Sequence, residues 1–150
     1  MNYYLVNNTD WSLSESFLSW LVPAIEALLP EGERTGVQDK DIGIVLVNKT
    51  KIAELNKQFR GKDGPTDVLS FEGDDESLGE LVFCVELIES QAIEHQLSAL
   101  EELSYLVIHG VLHLLGHDHE SKEESDKMFA IQDKIFEKLM GEGIAEPTSS

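Results

Sequence analysis

The amino-acid sequence predicts an α/β (α+β) fold, with a small mixed sheet of about four strands packed with about five helices. Two observations indicate this class. Strand-like and helix-like segments follow one another in the order βαβαββααα, and one run in the middle of the chain, residues 42–47, is apolar on both faces. The length of 150 residues predicts a single domain. We expect that domain to span residues 1–140 and residues 141–150 to form a disordered tail.

The chain opens with a predicted strand followed by a long helix. Residues 2–7 are rich in the aromatic and β-branched types that favour strands. Ser12 and Glu15 fit a capping box, which predicts that a helix starts there and continues to about Leu29. Pro23 predicts a kink or a break inside this helix, because proline lacks the backbone N–H that a helix interior uses.

The middle of the chain is predicted to hold a loop, a central strand and a short helix. Residues 30–38 are expected to form the loop, and the apolar run at residues 42–47 predicts the strand. Asn48 is a suitable cap for a helix over residues 50–59. The glycines and proline of residues 60–66 then predict another loop.

The second half of the chain continues with two strands and ends with three helices. The strands are predicted at residues 67–71 and 81–85, and the acidic turn between them, residues 72–78, is compatible with a hairpin. Capping boxes that start at Ser98 and Ser121 mark the beginnings of the last two helices. The three helices are predicted over residues 86–96, 99–116 and 121–140.

The charge of the chain is strongly acidic but unevenly distributed. Its net charge of −18 argues against nucleic-acid binding by the molecule as a whole. The segment from Arg34 to Lys62 differs, since seven basic and three acidic residues give it a local charge of +4. Such a segment is able to hold phosphates or to be an ordinary solvated surface, and composition alone favours neither.

The sequence also bears on the compartment. No run of about 18 apolar residues is present, so we expect no membrane span. The first residues show no signal-peptide pattern. Cys84 is the single cysteine, which excludes an internal disulfide, and its apolar neighbours predict a buried thiol. These features favour a cytoplasmic protein.

Four of the five histidines lie within eleven residues, in the run HGVLHLLGHDH that starts at His109. His109 and His113 are four residues apart, which places them on one face of a helix. Gly116 suits a left-handed helix end, after which His119 is able to return beside the first two. Because the helix is apolar almost all round, it should be buried, and buried imidazoles need partners. Three converging imidazoles with an open fourth position are typical of catalytic zinc.

The same spacing resembles the zinc-protease pattern H-E-x-x-H-x-x-G-x-x-H, and the predicted site is therefore zincin-like. The glutamate that serves as general base in those proteases is replaced by Gly110. The sequence thus predicts the metal ligands of such a site without its peptidase mechanism. The alternative, that these are ordinary helical histidines, accounts poorly for so many on one buried helix.

Two motifs together resemble the YbeY family, which consists of metal-dependent endoribonucleases of bacterial ribosomal RNA maturation. One is the histidine run, and the other is LNKQFRGKDGPTDVLSF, residues 55–71. The resemblance covers about residues 1–140. It implies that His109, His113 and His119 bind one zinc ion, and that Arg60 lines the active cleft. Arg60 and His109 are on this basis the candidate catalytic residues.

Several residues near these motifs keep two possible roles. Many relatives have Tyr where this chain has His117, which could be a proton carrier or, as we expect, a surface group. Many have Asp where Glu80 stands, a change that keeps the charge and should preserve the fold. Asp118 could orient a ligand imidazole or cap the turn after Gly116. Without the resemblance, Arg60 would be assigned to an ion pair, for example with Asp63 or Asp67.

The resemblance implies a zinc-dependent, single-strand-specific endoribonuclease that acts in ribosomal RNA processing, at the 3′ end of the small-subunit RNA, and in ribosome quality control. The implied partners are ribosomal RNA and the small ribosomal subunit, together with a ribosome-associated GTPase and ribosomal proteins. Two other classes remain as alternatives. One is a zinc hydrolase of different, peptidase-like specificity, and the other is a ribosome-assembly factor in which zinc holds the fold.

Overall fold

The computed structural model describes residues 1–143, which form a four-stranded mixed sheet and six helices. The predicted fold class is confirmed, with one helix more than expected. Part of the predicted tail, residues 144–150, lies outside the described residues, whereas Gly141 is the last residue of the final helix. The elements are β1 (Asn2–Asn7), α1 (Glu15–Leu28), α2 (Glu31–Val37), β2 (Asp41–Val47), α3 (Lys49–Arg60), β3 (Val68–Glu72), β4 (Ser77–Cys84), α4 (Val85–His95), α5 (Ala99–Leu114) and α6 (Lys122–Gly141).

The strands lie in the order β1-β2-β4-β3. β1, β2 and β4 are mutually parallel, and the edge strand β3 pairs antiparallel with β4 as a hairpin. β2 therefore has a neighbour on each side and helices on both faces, which explains why its residues 42–47 are apolar on both faces. The prediction of a central strand at residues 42–47 is confirmed, and so is the hairpin.

Two apolar layers cover the sheet. The larger core packs α1, α5 and α6 against one face, where Ile44 of β2 and Leu81 of β4 are fully buried. The smaller one packs α3 against the opposite face around Ile52, and it includes the buried Cys84. The predicted buried thiol is confirmed. Because α5 is the helix buried in the larger core, the functional residues at its end have a rigid support.

The prediction of a loop over residues 30–38 is wrong, because α2 forms there. Pro30 takes the N-cap position, and Glu31 and Glu33 lie in the first turn, where acidic side chains favour a helix. Val37 is fully buried in the larger core. Tertiary packing thus overrides the low helix propensity of the glycines in this segment.

Three smaller expectations also need correction. The cap of α1 is Ser14, whose Oγ accepts the Phe17 N–H at 3.1 Å, and not Ser12. α1 runs through Pro23 without the break that was one of the two alternatives predicted there. β4 begins at Ser77 rather than at residue 81, so the acidic turn is shorter than predicted. The capping box of Ser98 is confirmed in full.

Within residues 1–143, no helix has the combination of length and apolar character that crossing a lipid bilayer would need.

Candidate metal centre

The last turns of α5 and the loop after it build the candidate centre. α5 ends at Leu114, and Gly116 follows with a φ of 99°, a conformation that an L side chain would strain. The Gly116 N–H donates to the His113 carbonyl at 3.0 Å, and the His117 N–H donates to the Leu112 carbonyl at 2.9 Å. These bonds satisfy carbonyls at the helix end, and the chain reverses there. The helix end predicted at Gly116 is thus confirmed.

The reversal brings His119 beside His109 and His113. The candidate ligand nitrogens of the three histidines all lie within 4.8 Å of one another. His109 and His113 are half-buried, whereas His119 is exposed. Burial, followed by the charges of the two neighbouring histidines, lowers the pKa of His113 below its ordinary value. Neutral imidazoles are the ligand form, so this set of donors fits a metal ion.

A buried glutamine orients the first of these histidines. His109 Nδ1 donates to Gln132 Oε1 at 2.9 Å, and Gln132 is fully buried in α6. The bond holds the proton on Nδ1, which leaves Nε2 free to bind a metal. Sequence reasoning missed Gln132. The available signal was a polar residue in line with the buried Met128, Ile135 and Leu139 of the same helix.

The two residues between His113 and His119 whose roles were open have structural roles here. Asp118 Oδ1 accepts the backbone N–H of His119 at 2.7 Å, which is the turn-capping alternative. His117 Nε2 contacts Glu33 Oε1 of α2, and the His117 side chain is only 10% exposed. The expectation of a surface group at His117 is therefore wrong, because α2, which the sequence did not predict, covers it.

Arg60, the last residue of α3, lines the same cleft as the three histidines. Its Nη1 donates to the Phe59 carbonyl at 3.2 Å and its Nη2 to the Ser70 carbonyl at 2.5 Å. Its guanidinium carbon lies 5.0 Å from the centre of the Phe71 ring. Among the described residues Arg60 forms no ion pair, so the alternative role, a pairing with Asp63 or Asp67, is not found.

The cleft has a volume of about 760 Å³, and only part of the basic segment, residues 34–62, borders it. Arg60 and Lys62 border it, and Asn56 and Thr66 add neutral polar groups. Arg34, at the other end of the segment, lies in α2 and borders separate pockets. Only the last residues of the basic segment are thus close to the histidines.

Close packing explains why glycine occupies position 110. A Cβ placed on Gly110 would lie 2.5 Å from Leu81 Cδ2 and 2.7 Å from Leu81 Cδ1. Leu81 is fully buried in β4. A side chain at this position would therefore collide with the sheet, and the glutamate of the protease pattern has no room.

Glu80, the second departure from the family pattern, is part of the sheet surface. Tyr4 lies across Gly43 and donates from its hydroxyl to Glu80 Oε2 at 2.6 Å. This hydrogen bond is the main reason that the pKa of Tyr4 is raised to about 12. The longer glutamate side chain is accommodated by a partner two strands away, so the change is compatible with the fold.

Known proteins share this sequence and architecture. The family described as Endoribonuclease YbeY matches residues 5–140. A Bdellovibrio bacteriovorus protein named Endoribonuclease YbeY is 40% identical and covers 93% of this chain and 96% of its own length. The Bacillus subtilis protein of the same name is 38% identical, over 84% and 88% of the two chains. A solution structure of a Thermotoga maritima protein superposes with a TM-score of 0.68 at 33% identity, over 99% and 95% of the chains. Together with the matching histidine cluster, these similarities show that the chain belongs to the YbeY family.

Proposed function

We propose that the protein is a zinc-dependent endoribonuclease that cuts single-stranded segments of ribosomal RNA. The observation that carries this proposal is the convergence of His109, His113 and His119 in one cleft with Arg60. Membership of a family whose members are named endoribonucleases supports the reaction class. In the cell, the proposed role is processing of the small-subunit RNA 3′ end and ribosome quality control, in the cytoplasm.

Each residue of the cleft has a specific task under this proposal. His109, His113 and His119 would hold the zinc, which, bound by three neutral imidazoles, lowers the pKa of a coordinated water towards about 7. Gln132 fixes the orientation of His109 through the 2.9 Å hydrogen bond. The half-buried position of His113 lowers its pKa, so this imidazole stays neutral to a lower pH than usual. His113 is thus ready to bind a metal near neutral pH.

Arg60 is suited to bind the phosphate. A guanidinium carries five N–H donors in a plane, and two backbone carbonyls use only part of this set. The same carbonyls and the Phe71 ring restrict its movement, so that less entropy is lost when a phosphate binds. The remaining donors can then stabilise charge that develops on the phosphoryl oxygens.

The test is cleavage of an unstructured, end-labelled RNA and of a small-subunit RNA precursor by zinc-loaded protein. We expect cutting by the wild type, loss of cutting on chelation, and recovery when zinc is returned. His113→Ala should lose most of its zinc by metal analysis and stay inactive when zinc is added back. Full zinc occupancy in His113→Ala would contradict the ligand assignment.

The same preparation separates the alternatives. We expect no specific cleavage of casein, because Gly110 leaves no room for a protease-type glutamate. Cleavage of casein that depends on His109 would instead favour a peptidase. A zinc-loaded wild type that cuts neither RNA nor casein, but unfolds when zinc is removed, would favour an assembly factor with a structural metal.

A further inference from the structure

A second cavity adjoins the cleft beside His109. It has a volume of about 190 Å³ and shares Asp67, Val68 and His109 with the cleft as walls. A water molecule occupies about 30 Å³ in the liquid, so the space is several times larger than one water requires. Anything bound there would be next to a group held at the three histidines.

One wall of this cavity is an aromatic ring that folding alone does not explain. Phe129 of α6 is 37% exposed. Its ring lies 6.2 Å from the His109 ring, at an interplanar angle of 29°. Single exposed apolar side chains are common. This one, however, lines the cavity beside His109, with Leu106 and Val68 as further apolar walls.

The cavity also holds a hydrogen-bond donor without a partner. The Oε1 of Gln132 accepts the hydrogen bond from His109, whereas its buried Nε2 has no partner of good geometry within residues 1–143, apart from a weak interaction with the Tyr105 side chain. A buried amide N–H₂ that lacks an acceptor is unfavourable, so the site is suited to a ligand that brings one. Glu102, a fully buried carboxylate bound by His95, also borders the cavity. An anionic ligand would meet its charge, whereas a neutral one would not.

We infer that this cavity binds one unpaired nucleobase of the RNA substrate, next to the nucleotide that is cut. A nucleobase is neutral, offers a flat face to Phe129 and carries acceptor atoms for Gln132 Nε2. In a duplex, pairing occupies the Watson–Crick edge of the base and stacking on the neighbouring pairs covers its face, so the site selects single strands, as stacking sites on aromatic side chains do. The inference rests on the proposed nuclease function and adds the contact that would make it specific for unpaired RNA.

The experiment combines protein variants with substrate variants. A short fluorescent oligoribonucleotide without secondary structure is prepared intact and with a single abasic site at each position in turn. Affinity for zinc-loaded protein is measured by anisotropy on versions protected with phosphorothioate and 2′-O-methyl groups, and cutting is measured on unprotected RNA. We expect one abasic position to weaken binding to the wild type by about tenfold.

Phe129→Ala should weaken binding of intact RNA by about the same factor and lose the sensitivity to that abasic position alone. Phe129→Trp should keep both. Met140→Ala is the matched control, because Met140 is on the same helix and is also 37% exposed. It should behave as wild type.

Wild-type affinity and wild-type abasic sensitivity in Phe129→Ala would overturn the inference. The two levels of the proposal fail separately. Binding that depends on Phe129 without any cutting would remove the nuclease function and keep the base site. Cutting at the wild-type rate by Phe129→Ala, with wild-type binding, would keep the nuclease function and remove the base site.

Discussion

His109 and Gln132 are 23 residues apart in the chain, yet the imidazole Nδ1–H of one donates to the amide oxygen of the other at 2.9 Å. The direction of this bond decides whether the centre is able to bind metal. With the proton on Nδ1, Nε2 is a free ligand atom. Partners of this kind hold the orientation of metal-binding histidines in many proteins, and their removal weakens metal affinity about 10–100-fold.

We therefore expect Gln132→Leu to weaken zinc binding within that range, as measured by competition with a chromophoric chelator. Gln132→Glu should bind zinc at least as well as the wild type, because a carboxylate also accepts the Nδ1 proton. Met128→Leu is the control, since Met128 is buried on the same helix and the exchange conserves its volume. Equal zinc affinity in Gln132→Leu and Met128→Leu would show that the bond does not orient His109.

The difference between what the sequence predicted and what it missed follows from the range of each interaction. The spacing of His109, His113 and His119 is local information, and so are the caps of Ser98 and Ser121. Gln132 acts across 23 residues, and the contact of His117 with Glu33 spans 84. A pairing of that range depends on how helices pack, which no local pattern encodes.

Gly110 allows a direct test of the packing between α5 and β4. Gly110→Ala should destabilise the protein by about 1–3 kcal/mol in urea unfolding, because the added methyl collides with the buried Leu81. Gly32→Ala is the control in another helix, where a Cβ meets nothing within 4 Å. That change should stabilise by up to about 1 kcal/mol. Stabilisation in both variants would mean that α5 has space against the sheet.

His95 gives stability a pH dependence that can be isolated. Its hydrogen bond with the Glu102 carboxylate, and then the charge of Glu102, raise the pKa of His95 above 6.5. Protonated His95 therefore stabilises the fold fully below its unfolded pKa, and this contribution is lost as the pH rises through the folded pKa.

The expected result is a difference in the free energy of unfolding between wild type and His95→Gln that is largest well below pH 6.5 and shrinks as the pH rises through the raised pKa of folded His95. Urea unfolding of the metal-free proteins measures it, and carboxylates remote from His95 cancel in the difference. The effect should be small, since the His95 side chain is 54% exposed. A difference that grows with pH would contradict the pairing.

The basic part of the cleft should control how RNA binding depends on salt. Arg60 and Lys62 border the cleft, and Lys57 lies with Arg60 in the last turn of α3. Replacement of all three by glutamine should weaken binding and lower the slope of log affinity against log salt by about 0.7 for each lost phosphate contact on a single strand. Glutamine at Lys122, Lys127 and Lys134, which do not border the cleft, provides the charge-matched control. An unchanged slope in the first variant would remove the basic cleft as the phosphate contact.

Arg60 and Arg34 are the only arginines of the chain, and the fold separates them. Arg60 borders the cleft of the three histidines, and Arg34 borders pockets beside α1 and α6. If Arg60 binds the phosphate that is cut, Arg60→Ala should slow RNA cleavage by about 10-fold or more, the scale of one hydrogen bond to a charged group. Zinc content should not change, because Arg60 contacts carbonyls and a ring rather than the histidines.

Arg60→Lys should recover only part of the rate, since an ammonium cannot hydrogen-bond the Ser70 carbonyl and two phosphoryl oxygens together as a planar guanidinium does. Arg34→Ala removes the same charge elsewhere and should cut RNA at the wild-type rate. Equal rates for Arg60→Ala and Arg34→Ala would show that the position of Arg60 in the cleft has no part in the reaction.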